Sequence, residues 1–167
     1  MLWRMAIALA GLSIALSGLG QTNAPVVSAE VEQALVSEDW QRVIALLGGA
    51  KDAGLPAIAR LIKGHAYLAT NKNNESLCLF LSVTSESELK AWDEWTAGVV
   101  TRNAGSVIAP YLRGDALARQ KRWDDALRAF DHGSKHPLVL NARGAVHARM
   151  DRLESAYDDF SSAAEVL

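Results

Sequence analysis

An internal repeat runs through this chain. In residues 111–133, Gly114 is followed by Ala126, Phe130 and Gly133 at +12, +16 and +19. In residues 141–163, Gly144 is followed by Ala156, Phe160 and Ala163 at the same offsets. In residues 61–83, Gly64 leads to Ser76, Phe80 and Val83, and a weaker copy sets Val31 before Val43, Leu47 and Ala50. Trp40, Trp123 and Leu153 share the slot at +9. Repetition at this period implies a stack of small units.

The offsets have a direct physical meaning. A small residue in a first helix lets a second helix approach closely. Residues at +12, +16 and +19 recur at helical spacing and form one face of that second helix. Polar turns separate the two at residues 71–74, 120–122 and 150–152, and Asp124 and Asp125 fall where negative charge favours a helix start. Each unit is then a helix hairpin that cannot bury its apolar face alone and must stack on its neighbours.

With Gly64-His-Ala-Tyr67, Arg113-Gly114, Trp123-Asp-Asp-Ala-Leu-Arg-Ala-Phe130, and Arg143-Gly144 followed by Ala156-x-x-x-Phe160, the sequence resembles the tetratricopeptide repeat (TPR) family. The resemblance covers residues 27–85 and 107–167. It implies an all-α fold: a right-handed superhelical array of antiparallel helix pairs, whose inner groove, lined by first helices, commonly holds a partner segment.

The chain departs from the family pattern in its spacing. Reference residues Val31, Gly64, Gly114 and Gly144 are 33, 50 and 30 residues apart, against about 34 in the family. The long step contains an insertion at residues 85–105. Ser85 with Glu88 is a capping-box signature, and Leu89, Trp92, Trp95 (or Thr96) and Val99 follow at helical spacing, predicting an added helix over Glu86–Arg102. Pro137 suits the first position of a helix, whereas Pro110 blurs the start of the third repeat. The expected organisation is a segment over 1–24 and a repeat domain over 27–167. That domain divides into units at 27–50, 55–84, 107–134 and 137–167, with the inserted helix at 86–105.

The first 24 residues follow a different pattern. Arg4 precedes an uncharged, largely apolar run over residues 6–19, the layout of an export signal, with an N-terminal apolar helix serving as a membrane anchor or packed as a buried helix as the alternatives. Residues 5–20 are short of the roughly 20 needed to span a bilayer comfortably. The signal and anchor readings both put the repeat domain outside the cytoplasm. At the other end, residues 166–167 close a second helix with no polar helix after it, which is compatible with a longer array, with self-association at this edge, or with a partly exposed edge.

Composition limits the chemistry. Half of the 167 residues are hydrophobic and 22% charged, which excludes wholesale disorder. A net charge of −2 gives no electrostatic case for nucleic acid. The single cysteine, Cys78, excludes an intramolecular disulfide and reads as a small packed side chain. His132 and His136 have a spacing seen in metal sites, but straddle a turn and read as solvated; His147 shares the slot of Tyr67 and reads as partly packed. No phosphate loop, nucleophile elbow or metalloprotease motif occurs, so no catalytic, cofactor or metal residues are assigned. Asn74-Glu75-Ser76 fits a glycosylation pattern but reads as a helix cap. Arg143 and Asp159 are expected to pair across their hairpin, while Lys63 and Arg113 find Leu79 and Ala129 in the matching slots.

By register with the family, the inner surface carries Leu61, His65 and Leu68, then Tyr111, Asp115 and Arg119, then Asn141, Ala145 and Arg149. Such a surface suits a protein or peptide segment with an apolar part and a carboxylate or backbone to hydrogen-bond. Arg119 and Arg149 could equally serve only to solvate the groove. The lysine and asparagine set by which some family members clamp an acidic C-terminal tail is not reproduced. The expected function is an adaptor or scaffold for another protein. The alternative is a structural subunit of a membrane-associated complex, with the Trp92/Trp95 helix and the C-terminal edge as contact surfaces.

Overall fold

In the computed structural model, which describes residues 27–48, 52–133 and 135–166, four helix hairpins share one turn. They are α1 (Ala29–Val36) with α2 (Trp40–Leu46), and α3 (Ala57–Ala69) with α4 (Asn73–Leu81). After the unpaired α5 (Glu86–Arg102) come α6 (Ile108–Arg119) with α7 (Trp123–Phe130), and α8 (Pro137–Arg149) with α9 (Leu153–Val166). The described residues contain no strand. Seven residues after each reference position the backbone turns left-handed at a non-glycine residue: Glu38 (φ 62°), Asn71 (59°), Lys121 (60°) and Asp151 (61°). The following amide then bonds five residues back, Asp39 to Ala34, Lys72 to Tyr67, Arg122 to Leu117 and Arg152 to His147, at 2.8–3.0 Å. This is the long-range bond of a Schellman cap, which satisfies a carbonyl the helix end would otherwise leave open. It recurs even in the first hairpin, whose side-chain register is the weakest.

The repeated glycines are sites of close approach. A Cβ built on Gly64 would lie 2.6 Å from the Phe80 ring, one on Gly144 would lie 2.9 Å from Phe160, and one on Gly114 would press harder still on Phe130. Sixteen residues of sequence thus separate each glycine from the ring that occupies its missing side chain.

The inserted helix is pinned at its start. Ser85 and Glu88 complete the capping box in both directions. Arg60 of α3 donates to the Ser82 carbonyl and to Glu88 Oε1, both at 2.6 Å. α5 packs on α3 and α6, with Trp92 fully buried and Trp95 stacked on it at 5.3 Å. Pro110 falls in the first turn of α6 and Pro137 opens α8, where no intrahelical amide bond is lost.

The helices do not form a stack in which each hairpin meets only its neighbours. α1 also packs on α6, and Ser106 donates to the Val36 carbonyl at 3.3 Å. Arg102, at the end of α5, holds Glu32 through two bonds of 3.0 and 2.7 Å, and Asn103 adds a third at 2.9 Å. The Arg102 hydrogen bond holds the Glu32 carboxyl below its ordinary range against burial, which raises it, with Asn103 assisting Arg102. Glu38 meets His136 at 3.0 Å. One buried apolar cluster consequently runs from Val27 to Val146. The physical cause is α5, whose far end is brought back beside α1.

Further local expectations need correcting. Cys78 is exposed, because α4 buries Ser76 and Leu79 and turns Cys78 outward. Asn74 is not a cap: α4 begins at Asn73 after Lys72, with no side-chain cap bond. Arg143 does pair with Asp159, through bonds of 2.9 and 2.5 Å, with His147 half-buried alongside. Lys63 and Arg113, in the same slot as Arg143, find acids elsewhere: Asp52 at 2.7 Å, and Asp93 of the inserted helix. His132 is exposed in a short 3-10 turn, and His136 caps α8 by accepting the Leu138 amide at 3.3 Å. The segment 1–24, including residues 5–20, lies outside the described residues, as do Ala50 and Leu167. No helix among the described residues is long and apolar enough to cross a membrane.

Candidate functional site

A groove of about 520 Å³ opens between α3–α4 on one side and α6–α8 on the other. His65, Leu68, Tyr111, Asp115, Arg119, Asn141 and Arg149 line it, together with Ala145. Leu61 does not; it is fully buried in the common apolar cluster. The groove also takes residues outside the first-helix register, notably Leu77, Phe80 and Leu81 of α4, and Lys121.

The floor is a buried polar network. His65 Nδ1 and the Tyr111 hydroxyl lie 2.9 Å apart, and the His65 ring stacks on Trp92 at 5.9 Å and tilts against Phe80 at 4.9 Å. Asp115 Oδ2 accepts from Arg119 Nε at 2.8 Å and from the Trp92 indole at 3.0 Å. His65 Nε2 comes within 3.4 Å of the same oxygen without the alignment of a hydrogen bond. Burial pushes the Asp115 carboxyl up, but Arg119 and then His65 outweigh it and hold the group well below the usual carboxylate range. The Tyr111 hydroxyl is pushed far above its ordinary value by burial, with the Asp115 charge adding to it and Arg119 opposing. Asp115 is therefore an anion and Tyr111 a neutral phenol at physiological pH.

This network fixes the one cation that serves both the floor and the opening. Arg119 spends its Nε on Asp115 and lays its guanidinium 4.7 Å from the Phe80 ring centre. Its remaining nitrogens have no partner among the described residues. Beside it stand Lys121 and Arg149, exposed and forming no ion pair among the described residues. Three cations thus face a groove whose only acid, Asp115, is already engaged. The opposite wall is apolar, formed by Leu68, Leu77 and Leu81. Such a surface can bind an anionic group through Arg119, Lys121 and Arg149 while burying aliphatic side chains.

Sequence register alone missed two parts of the site. The α4 wall belongs to a second helix, outside the first-helix register. Trp92 belongs to the insertion, outside any repeat slot. The helical spacing of Leu89, Trp92 and Val99 announced a buried face, but not what it would bury.

No protein-family model matches the chain, and no curated protein is similar enough to count as a relative. Among solved structures, MamA of AMB-1 is similar over 81% of this chain and 86% of its own, at 17% identity and a TM-score of 0.43. That likeness adds nothing to what the helices themselves show.

Proposed function

We propose that this chain is a non-catalytic interaction module of the tetratricopeptide type, and that it binds a segment of another protein in the groove between α4 and α8. The observation that carries this reading is the convergence of eight inner-surface residues, from three different hairpins, on one opening with an apolar wall and unpaired cations. The rigid polar floor supports it, because a binding surface held by buried hydrogen bonds loses little freedom when occupied.

The test uses the full-length chain carrying Ala145→Trp and Arg149→Glu, two exposed positions. Both together are expected to abolish capture of the partner while leaving the melting temperature within about 3 °C of wild type. Undiminished capture would rule the groove out.

We also propose that the module works outside the cytoplasm. Arg4 followed by the uncharged run over residues 6–19 supports this. Mass measurement of the mature N-terminus separates a cleaved signal, beginning near residues 21–25, from a retained anchor. A second reading, as a structural subunit, draws on α9, where Leu153 is 64% and Tyr157 72% exposed. Side chains of that size on one helix face suit a fixed contact with another subunit.

A further inference from the structure

The groove lies where the repeat would otherwise seat a helix. In the α6/α7 hairpin the residue at +13, Leu127, is half-buried beside Arg143 and His147 of α8. Its counterpart in the α3/α4 hairpin, Leu77, is 55% exposed, and Leu81, one turn further on, is 67% exposed. The difference has a cause in the chain's order. The helix following α4 is α5, which packs on α3 and α6 and leaves α4 in contact chiefly with α3. The space beside α4, which α8 fills in the next hairpin, is the groove.

Its lining restricts what can fill it. All the lining residues except Lys121 belong to helices, so their backbone amides and carbonyls are largely spent inside those helices, and no strand edge is offered to an extended segment. Side chains must supply the recognition. Leu68, Leu77 and Leu81 form the apolar wall, while Arg119, Lys121 and Arg149 face them with no free acid among them.

We propose that the groove docks an acidic amphipathic helix of a partner protein, which takes the place left open beside α4. Its aliphatic face meets Leu77 and Leu81, and its Asp and Glu side chains run along the Arg119, Lys121 and Arg149 side. This rests on the groove being the interaction site. A lysine-rich helix of the same shape is rejected by the local surplus of cations, although the whole chain is slightly acidic.

Three fluorescent peptides of about 18 residues, five helical turns, test this against the full chain by anisotropy. One is a Leu/Glu amphipathic helix, one carries Lys in place of Glu, and one is the Leu/Glu peptide interrupted by two central prolines. The Leu/Glu helix is expected to bind at least about tenfold more tightly than either other peptide. Leu77→Asp with Leu81→Asp should remove that binding, and Arg149→Glu should shift preference toward the Lys peptide. Equal binding of the Lys or the proline peptide would overturn the proposal, as would binding unaffected by the two aspartates. If none of the peptides binds while Ala145→Trp with Arg149→Glu still abolishes partner capture, the helix proposal fails and the groove remains the interaction site. If those two changes leave capture intact, the groove reading fails with it.

Discussion

The Trp92 indole N–H donates to the Asp115 carboxylate at 3.0 Å, and this bond ties the inserted helix to the floor of the groove. The same carboxylate holds Arg119, so α5 helps set where the groove presents its charge. Trp92→Phe keeps most of the ring and deletes the donor. It should cost about 2 kcal/mol, the range for a hydrogen bond to a charged group, and weaken any ligand anchored on Arg119. Trp95→Phe, which breaks no hydrogen bond among the described residues, should cost less than half as much. Urea denaturation of both variants checks the order.

Acid should expose the role of Asp115. Its folded-state affinity for a proton lies below that of an unfolded aspartate, whose pKa is 3.8, so its contribution is fully present above that value and is lost as pH falls through the folded-state value. Glu32, held by Arg102, acts in the same direction from 4.5 downward. Between pH 6 and 3 the wild type should therefore lose more stability than Asp115→Asn, although that variant starts less stable. Denaturant midpoints at the two pH values are the measurement, and parallel curves would contradict the assignment.

The glycine contacts predict an asymmetry between two equivalent positions. Alanine favours a helix over glycine by about 1 kcal/mol, but forcing a methyl into a packed core typically costs 1–3 kcal/mol. Phe130 is fully buried and cannot yield, so Gly114→Ala should destabilise by about 1–2 kcal/mol. Phe160 is 42% exposed and can swing outward, so Gly144→Ala should lie within about 1 kcal/mol of wild type. Equal costs at the two sites would show that the ring contacts do not control the packing.

The shared turn gives a stabilising change. Asp151 holds φ at 61°, is exposed, and forms no side-chain bond among the described residues. Glycine meets that conformation without strain, so Asp151→Gly should raise stability by about 0.5–1 kcal/mol, despite the extra freedom it gives the unfolded chain. A thermal melt reads the result.

What the sequence made legible was local or repeated. The Gly–Phe register states a side-chain contact directly, and the Ser85/Glu88 pair marks the start of α5 because a capping box involves only four neighbouring residues. What stayed hidden was non-local. Nothing in residues 29–36 indicates that α1 returns to α6, because the Glu32–Arg102 pair spans 70 residues and follows no repeat offset. Arg113 illustrates the same point: its repeat slot offers Ala129, and its acid, Asp93, comes from the insertion. Register proposes an inner-surface set, and the structure buries its His65 and Tyr111 beneath the groove. An inserted tryptophan stacks on His65, and periodicity cannot say which neighbour a buried face will meet.

Photo-crosslinking from the groove shows whether a partner segment lies in it. A benzophenone amino acid at exposed Ala145, in the full-length chain, should join to one partner segment, and Leu77→Asp with Leu81→Asp should suppress the adduct. The same probe at Glu94, on the exposed face of α5, should not form it. An adduct of equal yield from both positions, or one indifferent to the α4 substitutions, would contradict the groove as the binding site.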